Sequence, residues 1–530
     1  MAKKKLLFFS IFIIIILVFV LTIYNIIYKN NNIYLNNKDE APNFISIMLE
    51  ETASSGEYKV SKSNKWPSKG YVFNKEMSYC NNGSTLTWNE NDNSVSVNIN
   101  KTDKCYVYFD IYVPTLVEYV KSQYTGTQGE NGLYYHDSTL ANGAGDNSYR
   151  YAGGDYVLTE AGKATGATMM IGYNNSVTTA LIDFYCNGTK QYVGYASSCS
   201  TSHYYLIKGD TTQYQTYNEA LNASVEKGYL TKDNVKNFVC FGSDATTCPT
   251  ENLYRIIGVF NNHVKLIKYD YAKSSLLGTD GDFSQEYTSN YFSGEQGESP
   301  SSNSLYYWNN AGTNTWSASK LNTVNLNTNF TTNIGTAWAN KIATTTWKVG
   351  GGTYANLRDA VPKTAYQYEV GSSASTTTYD AKIGLMYVSD YYYSASPSAW
   401  TLVGYNSDYT KSYASAKGEN WLYGGGWDWT ISRNSDNSYF AFDVRYDGCV
   451  SYHGVNDYGG VRPSFSLLSS VTYVSGSGTS SDPIRINWLT DSFEKTLLKL
   501  GQNEVKSSTC VERITSFFVL WCSYNGCKHG

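Results

Sequence analysis

The stretch Asn434–Phe465, NSDNSYFAFDVRYDGCVSYHGVNDYGGVRPSF, contains no Lys, Glu, Gln, Met, Trp or Leu. Charge is scarce in the chain as a whole: 16% of its 530 residues are charged and the formal net charge is −4. A nucleic-acid partner needs clustered Lys and Arg, and nothing in this composition points to one. None of the ten Cys has the spacing of a zinc site. The glycine-rich Gly350–Gly352 and Gly424–Gly426 lack the strand-to-helix setting of a phosphate loop. Aromatic residues are abundant, with 50 Tyr against 20 Phe and 12 Trp. Tyrosine joins a large apolar ring to a polar tip and suits wet interfaces as well as cores. With Asn, Ser, Thr and Gly also frequent, the composition is that of an extracellular, β-rich protein.

Met1–Lys5 carries three consecutive lysines, and Leu6–Tyr24 follows without a charge. At ~1.5 Å per residue this run is long enough to span a hydrocarbon core. Lysines ahead of the span hold the N-terminus in the cytoplasm. A cleaved signal peptide is the competing reading, but no small-x-small cleavage site follows. Residues 1–28 are therefore read as a cytoplasmic stub and signal-anchor helix, and 29–57 as a polar spacer, with the bulk of the protein outside a single-pass cell-membrane anchor. Cys80/Cys105, Cys186/Cys199 and Cys240/Cys248 form close pairs in turn-rich segments, which suits local disulfides in an oxidising exterior.

Residues 58–113 read as a small β module: TLTWNENDNSVSVNI alternates with period two around an Asn/Asp turn, and CYVYFDIYV follows. Helical spacing appears over Val113–Ser122 and Thr216–Glu226 within an intermediate region, 114–237. Its Gly- and Asn-rich part, YTGTQGENGLYYHDSTLANGAGDNSYRYAGG, reads as loop. LYRIIGVFNNHVKLIKYDY predicts a hairpin turning at Asn261-Asn262, residues that tolerate positive φ. Apolar intervals over Trp316–Ile342 suit short helices, and IGLMYVSDY reads as a short buried strand. Trp427–Ser432, Phe440–Tyr446, Val450–His453 and Val461–Leu467 read as further strands, which makes 238–486 an α+β unit. The tail 487–530 is charged and Tyr-poor; it is either a packing helix or a terminus foreign to the rest.

The ordered pieces LYRIIGVF, DAKIGLMYVSDY, the Trp-rich strand at Trp427 and Trp429, and the closing Gly460-Val461-Arg462-Pro463 resemble surface modules of gut Firmicutes that end in a Gly-(Val/Phe)-Arg-Pro motif. More distantly they are similar to the formylglycine-generating-enzyme branch of the C-type lectin fold. The resemblance covers 238–486 and implies a C-type-lectin-like domain whose closing arginine, Arg462, is buried as a structural lock. Trp427 and Trp429, at alternate positions, would face one side of a strand and read as core. The same fold carries the variable proteins of diversity-generating retroelements, whose ligand-facing codons end in a pyrimidine and so cannot encode Lys, Glu, Gln, Met or Trp. Every residue of Asn434–Val461 is encodable that way. A diversified face and ordinary strand packing both fit this text.

Formylglycine-generating catalysis uses a pair of thiols, and this closing region holds Cys449 alone. Cys449 and His453, placed on one strand, are about 13 Å apart along it at ~3.3 Å per residue, too far for a nucleophile–base pair. Asp443 and Asp447 raise glycoside hydrolysis, although carboxylates in solvated loops are commoner. Asp280–Phe283 lacks the spacing of an EF-hand. The sequence therefore predicts no enzyme, no cofactor and no metal. It predicts a membrane-anchored, adhesin-like recognition protein that binds a glycan or a surface protein of a host or another microbe. The predicted contact residues are Tyr439, Phe442, Tyr446, Tyr452, His453, Asn456 and Tyr458. A structural envelope protein without a specific ligand is the alternative.

Overall fold

A computed structural model describes residues 45–487, apart from 54, 64, 68–69, 90–93, 99–102, 168–179, 192–200, 208–209, 233 and 288–302. The signal-anchor span, Cys199 and the tail beyond 487 lie outside the described residues. Among the described residues no helix is long and apolar enough to cross a membrane. The protein is α+β and divides into two compact units, Met1–Val113 and Pro114–Gly530.

In the first unit the strands run in the order Tyr58–Val60, Ile45–Glu50, Cys105–Ile111, Tyr71–Cys80. Ile45–Glu50 lies parallel to Cys105–Ile111, and the other pairs are antiparallel. Ile47, Val107 and Phe109 point into one face, where Phe73 stacks on Trp88 at 5.2 Å. Trp88 belongs to the hairpin Thr85–Asn89/Ser94–Asn98 expected from the Asn/Asp turn. Cys80 and Cys105 are opposite one another in the ladder and form a disulfide. Ile45–Glu50 corrects the expected spacer 29–57. Its apolar side chains alternate, and the buried Glu50 carboxylate accepts from the Gly56 and Ile111 amides, both at 3.0 Å.

The second unit is built on a seven-stranded antiparallel sheet. At its centre lies the hairpin Leu253–Phe260/His263–Lys268, with Asn261 and Asn262 at φ 47° and 62° as the turn requires. Leu253–Phe260 and His263–Lys268 are almost wholly buried, their apolar side chains together with Arg255, Lys265 and Lys268. On one side the sheet continues through Ser464–Ser466 and Ile383–Gly384, on the other through Tyr149–Tyr151 and Leu133–Tyr135.

Those last two strands fall in the segment expected to be loop, because runs of three residues are too short to show a period. They also place residues 133–151 in the same sheet as 253–268, so the expected boundary at 237/238 does not separate two cores. The helix Leu116–Ser122 packs Leu116, Val117 and Val120 into that shared core, and Thr115 with Glu118 caps its first turn. A satellite core around Phe184, Leu206 and Leu221 joins the sheet of Ile182–Cys186 to the helix Tyr217–Glu226.

The run Trp316–Ile342 folds as short helical pieces: Trp316–Ala318, Leu321–Phe330, Thr331–Asn333 and Thr336–Ala339. IGLMYVSDY is a strand only at Ile383–Gly384; Val388–Tyr393 is a helix. Buried Glu369 accepts the amides of Val388 and Ser389, each at 2.9 Å, while Asp390 accepts that of Tyr387 at 2.8 Å. Tertiary capping of those first-turn N–H groups overrides the strand preference of the aromatic run. Cys240–Cys248 is a disulfide, and Cys186 is disulfide-bonded as well.

Candidate functional site

The predicted contact stretch folds onto a three-stranded antiparallel sheet, Asp428–Arg433, Phe440–Val444 and Val450–Gly454. One face of this sheet joins the core. Phe442 is fully buried there, which corrects its place among the contact residues: it stands opposite Tyr452 in the ladder and its ring meets Tyr354 at 6.1 Å. Tyr452 is half-buried on the same face, 4.2 Å from Tyr354 and 5.2 Å from the Arg358 guanidinium.

The edge of the sheet is locked by the closing motif. Arg462 and Asp428 are both buried. The Arg462 Nε donates to Asp428 Oδ2 at 2.6 Å, and a second guanidinium nitrogen donates to that oxygen and to the Leu422 carbonyl, the latter at 2.6 Å. Burial disfavours the charged forms of both partners, and each partner's charge favours ionisation of the other. Gly460 is required here by close approach: a Cβ at that position would stand 2.3 Å from the Tyr271 ring. Trp429 is buried and donates through Nε1 to the Tyr306 carbonyl at 2.9 Å.

Next to this lock lies a more open arrangement. His453 is half-buried and bonds through Nδ1 to Oδ2 of buried Asp443 at 2.9 Å. Burial works against a charged His453 ring, but the bond and charge of Asp443, with Asp457 further out, outweigh it and raise its pKa. The Trp427 ring lies 5.4 Å from that of His453 and 5.9 Å from that of Tyr446. Trp427, Trp429, Asp443, His453, Tyr458 and Gly459 together line a small cleft. Trp427 is thus half-buried as a cleft wall and does not occupy the core position expected of it.

Tyr446 is half-buried, and its Oη accepts from Arg445 at 3.2 Å. Tyr439, Asn456 and Tyr458 are exposed, and Tyr439 Oη donates to Asn456 Oδ1. The structure therefore brings five of the seven predicted side chains to the outer surface and ends of one sheet, while Phe442 and Tyr452 lie on its core-joining face. Sequence reasoning missed Asp443 and Asp428 as partners of His453 and Arg462. The available signal was the strand alternation that sets Asp443 and His453 on one face and Phe442 and Tyr452 on the other.

The chemistry of individual groups limits what this arrangement does. Cys449 is buried beside Ser412, and burial pushes its thiol up to about 12, which removes the thiolate that a nucleophile needs. Asp447 pairs with Arg445 at 3.2 Å and Asp443 with His453, so the two carboxylates are engaged separately. A second concavity of about 510 Å³ is lined by the Cys240–Cys248 loop, Trp338 and residues 474–487. It contains none of the predicted site residues and adjoins Asn487, the last described residue. The Cys80–Asp103–Cys105 cluster has a metal-like arrangement, but both sulfurs are bound in the disulfide. No family model, curated protein or solved structure matches the chain.

Proposed function

We propose that the protein is a recognition module held outside the cell by its N-terminal apolar segment. Its C-terminal unit would be a C-type-lectin-like domain that binds a glycan or protein ligand. The observation that carries this reading is the pair Tyr439–Asn456 and the cleft group Tyr458, His453, Trp427 and Tyr446 on one sheet. Exposed and half-buried aromatic and amide side chains stand there on a sheet whose edge is fixed by a buried Arg–Asp pair. Rigid aromatic rings with adaptable hydrogen-bonding neighbours are the composition of protein binding faces, and a rigid scaffold lowers the entropy cost of binding. The disulfides Cys80–Cys105 and Cys240–Cys248 suit an oxidising exterior.

The test is binding of the full chain, reconstituted in nanodiscs, to glycan and surface-protein arrays. Wild type should give a reproducible set of hits, and the triple variant Tyr439→Ala/Tyr446→Ala/Tyr458→Ala should lose them while keeping its circular dichroism. Hits that survive in the folded triple variant would show that binding occurs elsewhere.

A further inference from the structure

Asp443 has an oxygen that the binding face does not explain. The residue is 2% exposed; Oδ2 takes the His453 bond, and Oδ1 is buried with no hydrogen-bond partner. Asp428, one ladder step away, also has an unpartnered Oδ1, but its charge is met by Arg462 and it does not line the cleft. Asp443 does line the cleft, beneath Trp427, Trp429, Tyr458 and His453. A buried carboxylate oxygen is costly unless a donor reaches it.

The surroundings define the donor. An anion is repelled by Asp443 and by Asp457. Aromatic walls favour a cation over a neutral group, and the cleft as a whole has room for a group about the size of one water molecule, so only the tip of a ligand enters it. A pyranose that carries nitrogen directly on its ring cannot bring that nitrogen to a buried oxygen unless the ring enters too. A slim alkyl chain can. Resting on the binding face proposed above, we propose that this cleft seats a primary alkylammonium, the tip of a lysine side chain of a partner protein, with Asp443 Oδ1 accepting its hydrogen bond.

The seat is coupled to His453. Charged groups around that ring are Asp443 on its neighbouring strand, Arg445 just past that strand's end and Asp457 on the following turn, and Asp428 of the next strand flanks Asp443 together with its partner Arg462. Protonated His453 already neutralises Asp443 and repels a second cation. Ammonium binding therefore strengthens as pH rises through the His453 titration.

The probe is Nα-acetyl-lysine methylamide, titrated into the full chain with Trp fluorescence as the readout, against Nα-acetyl-norleucine methylamide and glucosamine. The lysine amide should bind at least tenfold more tightly than either comparator and more tightly at pH 8 than at pH 5. Asp443→Asn should abolish that preference with the fold intact by circular dichroism, and His453→Gln should retain the preference while losing the pH dependence. Equal affinity for lysine and norleucine amides, stronger binding of glucosamine, or an unchanged preference in folded Asp443→Asn would each overturn the proposal. Should Asp443→Asn fail to fold, His453→Gln with the wild-type comparator series decides alone. The two readings fail separately: array hits lost in the tyrosine triple variant but with no lysine preference leave the binding face standing without the ammonium seat.

Discussion

Asp428 and Asp443 lie on adjacent antiparallel strands, one ladder step apart, and both are buried. Asp428 meets a permanently charged guanidinium sealed with it, whereas Asp443 meets a half-buried imidazole at the edge of a cleft. The guanidinium supplies several fixed donors and holds its charge at every ordinary pH; the imidazole supplies one donor to this carboxylate and a charge that depends on pH. The same residue type, almost at the same depth, thus makes a lock in one place and an adjustable site in the other.

Removing the lock should have the largest effect. Arg462→Met leaves the Asp428 carboxylate buried and unpaired and the Leu422 carbonyl without its donor. Breaking a buried pair in this way costs about 3–5 kcal/mol. In denaturant unfolding of the full chain, the transition of the second unit should move to markedly lower denaturant, while that of the first unit, reported by Trp66 and Trp88, should stay in place. Asp443→Asn should cost about 1 kcal/mol, because the amide keeps one bond to His453 and removes the charge from an oxygen that has no donor. If the two variants were equally destabilising, the contrast between lock and open site would be lost.

The two sites also differed in how plainly the sequence announced them. Gly460-Val461-Arg462-Pro463 carries its own explanation: glycine where a Cβ would strike Tyr271, then an arginine too costly to bury without a partner. That partner lies 34 residues earlier, and no local pattern links the two. The hairpin at Asn261-Asn262 was legible because its turn chemistry and its strand pattern agree. Ile45–Glu50 is hidden within a polar flank, and the strand expected over Ile383–Tyr391 gives way at Val388 to a helix capped from distant Glu369. Phe442 is expected among the contact residues from the composition of its stretch and from the resemblance, neither of which assigns a face. Strand alternation puts neighbours on opposite faces, but which face is the core is decided by Tyr354 and its surroundings, far away in sequence. Of the candidate site, the stretch was legible and the choice of face was not.

Two histidines give the comparison a sign. His453 is raised by Asp443, so its ion pair contributes stability that is fully present below the unfolded value of about 6.5 and lost as pH rises through the higher folded value. His136 is fully buried, accepts the Ala144 amide through Nδ1 at 3.0 Å and packs on Tyr393 and Trp400. Burial, reinforced by Arg150, holds it well below its ordinary value. Its contribution is present above about 6.5 and lost as pH falls through the folded value. In a pH series of unfolding midpoints, His453→Gln should remove a loss on the alkaline side of about 6.5. His136→Phe should flatten a loss on the acid side. Matching slopes in both variants would mean that neither imidazole differs from its unfolded state.

The smallest effect on stability belongs to the rim. Tyr439 is 41% exposed, and its hydroxyl donates to exposed Asn456. Its ring meets Phe440 edge-on at 5.2 Å and covers Gly454, where a Cβ would stand 2.7 Å away. Tyr439→Phe keeps both packing roles and removes only a solvent-side bond, so stability should change by no more than about 0.5 kcal/mol. If the rim is a binding surface, the same change should alter array binding through the freed Asn456 amide, which is then available to water or ligand. A rim that serves only to cover the sheet would leave both measurements unchanged. A substitution that is silent in unfolding and audible in binding separates a face held for contact from one held for packing.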